Sequence, residues 1–244
     1  MGITLTEDFQ HIFLTPSRPR PETPLDTITL ESLAERRIWV AWQLQPNKNG
    51  KPTKVPYNPT GHGKAEANDS STWGTKEQAD ARFASLLKPL GQGGVGIELS
   101  PLDDGWSLGG IDLDTCRNPE SGEFAPWAID VIDQFASYTE VSPSLGGAKI
   151  FFAYRTEDIE DIRALMGTAK HKVSFKWPGR EHPPAIEVLI SNHYLTVTGD
   201  IRPKSCDEFR RVPTELLVNL LMVVGPEFVA AGEEAETAQT AEAK

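Results

Sequence analysis

Two aspartates interrupt an apolar stretch at residues 108–116, LGGIDLDTC. In an extended strand, residues two apart face the same way, so Asp112 and Asp114 stand on one face about 6.6 Å apart. Carboxylates so placed can bracket divalent cations. The same pair also suits an edge strand with a solvated acidic face, so these two residues leave both readings open. The flanking LGG and apolar residues point to a central strand, where unpaired acids are costly to desolvate and repel one another.

Two further stretches carry residue types able to act with the aspartates. YTEVSPSLGGAKIFF, residues 138–152, reads as a strand, a Ser/Pro/Gly turn and a strand opening at Lys149. The hydroxyls of Ser142 and Ser144, the amides of Gly146 and Gly147 and the Lys149 ammonium would form an anion nest suited to a triphosphate. A plain hairpin with a surface lysine accounts for the same residues. AIEVLISNHYLTVTGD, residues 185–200, sets Glu187 among apolar neighbours and follows it with His193, Thr196 and Thr198. A lone glutamate in a strand is commonly an outward-facing residue. A third acid arriving with a basic, hydroxyl-lined hairpin suggests completion of a metal site.

The elements that would position these groups alternate in type. Strand signals fall at residues 38–44, 94–99, 107–114, 149–154, 185–190 and 194–199, and helix periodicity at 75–87, 126–136, 157–166 and 214–224. This order predicts a mixed α/β fold with at least one antiparallel hairpin. The proline-rich start predicts a flexible arm over 1–29. The Ala/Glu-rich end predicts a disordered acidic linker over 229–244, leading toward a further domain.

The chain has 244 residues, two cysteines and a net charge of −11. Two distant cysteines make no disulfide framework, so a reducing, cytoplasmic setting is expected. The apolar run at 215–224 is too short to span a bilayer, and no membrane partner is expected. The acidic balance argues against phosphate tracking, but residues 225–244 hold five glutamates against Lys244 and so carry −4 of it. Charge therefore leaves the partner open. No serine-nucleophile elbow, Walker loop or dinucleotide fingerprint is present, and GQGGVG at 91–96 precedes a strand rather than opening a helix. His171, His182, Cys116 and Cys206 fit no recognised zinc spacing. The basic stretch 167–184 reads either as a substrate-facing loop or as a surface insertion.

Taken in order, GGIDLD, VSPSLGGAKIFF and IEVLISNHYLTVTG resemble the motifs of the archaeo-eukaryotic primase superfamily, in particular the primase-polymerase domains of phages, plasmids and related mobile elements. WVAWQLQPNKNGKPTKVPYNP at 39–59 and STWGTKEQA at 71–79 resemble that group's N-terminal module, so the resemblance covers about residues 38–202. It implies an α+β domain over 30–228: an N-terminal α/β module at 30–93, an RNA-recognition-like antiparallel catalytic sheet at 94–212 and a C-terminal helix at 213–228.

It further implies that Asp112, Asp114 and Glu187 are catalytic and hold two Mg2+ or Mn2+ ions. Ser142, Ser144, Gly146, Gly147, Lys149 and His193 would then bind the nucleotide. The implied substrates are (d)NTPs with a single-stranded DNA template and primer, and a fused or separate helicase is the implied partner. Lys149 departs from the family's usual histidine, and His193 stands where a basic residue, often arginine, is usual. Lys51 and Lys54, in a lysine-rich turn, are expected to contact nucleic acid, with Trp39, Trp42 or Trp73 as stacking surfaces. Solvated lysines and core tryptophans are the plainer account of those residues. Two other readings share the motifs: a catalytically weak nucleotide- or single-strand-binding module of a helicase-primase, and a metal-dependent nuclease.

Overall fold

The computed structural model describes residues 27–102, 105–167, 171–179 and 181–242, so most of the expected N-terminal arm lies outside the described residues. The end of that arm is anchored: Ile28 is buried, its carbonyl accepts from the Phe209 N–H (2.7 Å), and Thr29 bridges to Glu208.

Among the described residues, nine strands form two antiparallel sheets. The first has the order β2 (Pro52–Tyr57), β1 (Trp39–Pro46), β3 (Gly93–Glu98), β9 (Tyr194–Val197). The second has the order β5 (Thr139–Val141), β6 (Ala148–Arg155), β4 (Trp106–Asp114), β8 (Ala185–Leu189), β7 (Lys172–Lys176). Helices α1 (Lys76–Ser85), α2 (Pro126–Phe135), α3 (Ile159–Leu165), α4 (Thr214–Asn219) and α5 (Gly225–Glu242) complete an α+β fold. β9 follows the acid-bearing strands in sequence but pairs with β3, which ties the two sheets together.

Alternation along β4, β6 and β8 separates two cores. One face sends Ile111, Leu113, Ile150, Phe152, Ile186 and Val188 into a cluster with α2, α3 and the C-terminal helices. The opposite face sends Leu108, Phe151, Ala153 and Leu189 against Trp39, Val95, Ile97 and Leu195 of the other sheet. Each large apolar side chain so buried contributes about 1.5–3 kcal/mol. Asp112 and Asp114 belong to this second face, at the end of β4 beyond its apolar half. Gly110 lets the sheets meet there, because a Cβ at that position would lie 2.1 Å from the Leu195 methyl.

Three elements differ from the sequence expectation. β2 carries two prolines and yet is a strand, which its edge position permits. β7 is an edge strand where a loop or insertion was expected, since Lys172, Ser174 and Lys176 alternate with Val173 and Phe175. The expected disordered tail is helical to Glu242. Alanine and glutamate are strong helix formers, and Phe228, packed against Trp127 and Trp177, anchors the helix's first half. The stretch Thr214–Thr237 is long and apolar enough to cross a membrane by length and composition alone. Leu217, Leu220, Leu221 and Phe228 of this stretch are buried in the protein core, whereas Met222 and Val223 are exposed.

Candidate active site

Register across the second sheet sets the site. Asp112 at the centre faces Lys149 on one side and Glu187 on the other, Lys149 faces Glu140, and Glu187 faces Ser174. Directly opposed residues share a face with Cβ atoms about 4.5–5.5 Å apart, so five polar side chains form one row across five strands. Asp114 lies two residues further along β4 on the same face and is exposed.

The charges in the row are paired. Lys149 Nζ lies 2.5 Å from Asp112 Oδ2, with the lysine side chain 2% and the aspartate 20% exposed. Glu187 is held by Lys172 Nζ at 2.6 Å, Lys176 Nζ at 3.2 Å and the Ser174 hydroxyl at 2.5 Å. Burial opposes ionisation of Glu187, but hydrogen bonds from Lys172 and Ser174 outweigh it and bring its pKa down to about 2. Asp114 shifts the other way: desolvation first, then the Asp112 and Glu187 charges, raise its pKa.

The residues of the expected anion nest form a closed hairpin between β5 and β6. The Ser142 N–H donates to Gly147 O (3.0 Å), the Leu145 N–H donates to Ser142 O (2.9 Å), and the Ser142 and Ser144 hydroxyls lie 2.9 Å apart. Gly146 turns its carbonyl to the N–H groups of Cys116 (2.9 Å) and Arg117 (3.0 Å). This fastens the hairpin to the chain that leaves Asp114. A Cβ on Gly147 would lie 2.5 Å from the Leu113 carbonyl oxygen, which belongs to the backbone and cannot swing away. Gly147→Ala is therefore expected to cost about 1–3 kcal/mol. An unchanged denaturant midpoint would contradict the close approach.

His193 is half-buried beside the row, and its pKa is lowered by burial and then by Lys172 and His171, against the pull of Glu187. Lys54, half-buried on β2, has its ammonium 5.9 Å from the Trp42 ring centre. Its pKa is lowered by burial first and then by Lys149, against Asp112 and Asp114, which places it in the field of the acids. Lys51 is exposed in the β1–β2 turn, where its N–H donates to Asn47 Oδ1 (3.0 Å). Trp39 and Trp42 are core residues whose indole N–H groups donate to Leu33 O and Val95 O.

Four residues of the site escaped the sequence reading: Glu140, Lys172, Ser174 and Lys176. Glu140 is fully buried and accepts from the Tyr138 hydroxyl (3.0 Å) and the N–H groups of Thr198 (2.8 Å) and Gly199 (3.1 Å), so it ties the TVTG turn to the strand beside Lys149. Its place before SPSLGG was the available signal, and the alternation of KVSFK was the signal for β7.

The donor set suits a hard divalent cation in chemistry. Asp112, Asp114 and Glu187 offer only oxygen, and two of the three are paired with ammonium groups. Among the described residues, however, no three His, Cys, Asp or Glu side chains are gathered closely enough to hold a metal ion.

Comparison with known proteins adds one relationship. The chain is 30% identical over 172 residues to a protein named DNA Primase-polymerase from Nitratiruptor phage NrS-1; the match covers 70% of this chain and 20% of that protein's length. No family model matches the chain.

Proposed function

We propose that this chain is a primase-polymerase domain, transferring nucleotides from (d)NTPs to a primer 3′-hydroxyl or an initiating nucleotide on a single-stranded DNA template. The observation that carries the reading is Asp112 flanked in register by Lys149 and Glu187, in a chain similar over 172 residues to a phage DNA primase-polymerase. The roles of individual residues are part of the proposal.

Asp112, Asp114 and Glu187 would hold two Mg2+ or Mn2+ ions, which when bound supply Lewis-acid activation of the attacking hydroxyl and charge neutralisation of the departing pyrophosphate. The chain's own groups orient and neutralise the nucleotide. Lys149 offers a point charge to its phosphates, and the Ser142 and Ser144 hydroxyls and the Gly146 and Gly147 amides offer hydrogen bonds. His193 adds only weak positive charge, because its surroundings favour the neutral ring. Lys172, Ser174 and Lys176 keep Glu187 ionised. Replication of a phage, plasmid or similar element, in the cytoplasm and with a fused or separate helicase, is the setting proposed.

Lys54 is assigned to the template or primer backbone. Lys54→Glu is expected to weaken single-stranded DNA binding and reduce the salt slope by about 0.7, as loss of one phosphate contact requires. Lys51→Glu is the parallel test in the exposed turn. Unchanged affinity and slope in both variants would remove the assignment.

A second reading, a nucleotide- or single-strand-binding module with little catalysis, is favoured by the lysine counterions on Asp112 and Glu187. Nucleotide binding and pyrophosphate release, measured on the same preparation, separate the two. Release dependent on template and primer supports the polymerase. Binding without release supports the module.

A further inference from the structure

Lys149 is not placed as a free phosphate ligand. Its side chain is 2% exposed, and its ammonium lies 2.5 Å from Asp112 Oδ2, the oxygen donor at the centre of the acidic row. Its other cross-strand neighbour, Glu140, has its oxygens taken by Tyr138, Thr198 and Gly199. Among the described residues, the lysine's ion pair is therefore with Asp112.

We infer that Lys149 is a resident counterion that a divalent cation must displace from Asp112, and that the freed ammonium then takes the nucleotide's phosphates. The inference rests on the assignment of Asp112 as a metal ligand. A buried ammonium separated from its carboxylate is costly until another anion meets it. A triphosphate supplies that anion. Cation and nucleotide thus favour each other's binding, and linkage makes the effect reciprocal. A histidine, neutral near physiological pH, would not compete for the carboxylate in this way, so the lysine adds a coupling that the ring would not.

Mn2+ binding without nucleotide, followed by electron paramagnetic resonance of the free ion, tests the displacement. Lys149→Met and Lys149→Gln, checked for folding by circular dichroism, are expected to bind Mn2+ about tenfold more tightly than the wild type, because a cation 2.5 Å from the ligand oxygen is gone. Equal or weaker binding by the folded variants would overturn the inference while leaving the acids as ligands. No Mn2+ binding by any protein, wild type included, would overturn it together with the metal assignment. Should neither variant fold, reductive methylation of wild-type Lys149, read by mass spectrometry, decides. Mg2+ is expected to raise its modification several-fold, and unchanged modification would overturn the inference.

Discussion

Asp112→Ala is expected to abolish nucleotidyl transfer and also to destabilise the fold. On the activity side, loss of the carboxylate proposed to hold the cations is expected to remove several kcal/mol of charge stabilisation, about 10³-fold or more in rate. On the stability side, Lys149 at 2% exposure loses the partner that offsets its desolvation. Breaking one side of such a pair costs about 3 kcal/mol. The two effects can be separated. Lys149→Met in the Asp112→Ala background removes the stranded charge, so the double variant is expected to regain stability and remain inactive. Denaturant melts of the three variants beside the wild type check the first point, and extension assays the second. Single-variant stability equal to wild type would show that the ion pair does not hold the charge row together.

Glu98→Gln is expected to stabilise the protein at pH 8 and to leave it unchanged near pH 4. Glu98 ends β3 with 0% exposure, and neither of its carboxylate oxygens has a hydrogen-bond partner among the described residues. Burial pushes its pKa from 4.5 up to about 8. The sign follows from proton counts. Below pH 4.5 the side chain is neutral in both folded and unfolded chains and costs nothing for charge burial. Between pH 4.5 and 8 the unfolded chain ionises while the folded one retains its proton, so stability falls as pH rises through this window. Above the folded value the loss is complete. Its size is about 3–5 kcal/mol on the scale of 1.36 kcal/mol per pKa unit. Glutamine carries no titrating group, so the melting-temperature gap between variant and wild type should widen from pH 4.5 to 8. A gap independent of pH would contradict the buried carboxylate.

Strand alternation made Asp112 and Asp114 legible as a pair on one face, and the apolar run around Glu187 made that residue legible as a strand position. The ion pair of Lys149 with Asp112 was not legible, because it depends on the register of β6 against β4, which a helix, a short strand and a turn between them set in space. The same holds for Lys172 and Lys176 on Glu187. β7 lies in the basic stretch expected as a loop or insertion and β2 in the stretch expected as a lysine-rich turn, whereas edge positions in the sheets accommodate the lysines of one and the prolines of the other. Glu140 and Glu98 look alike in sequence, each a single acid in a short strand. Packing separates them: among the described residues, Glu140 meets three donors and Glu98 none. The helical C-terminal segment was obscured by its acidic composition, although its alanine and glutamate favour helix and Phe228 gives it an anchor.

The central claim is that the row through Lys149, Asp112 and Glu187 is a site for templated nucleotidyl transfer. Extension of a labelled primer on a defined single-stranded template, with Mg2+ or Mn2+ and each nucleotide supplied singly, tests it most directly. The wild-type chain is expected to add the nucleotide complementary to the next template base and release one pyrophosphate per addition, whereas Asp112→Ala and Asp114→Ala add none. Wild-type extension no greater than that of the two variants would contradict the claim.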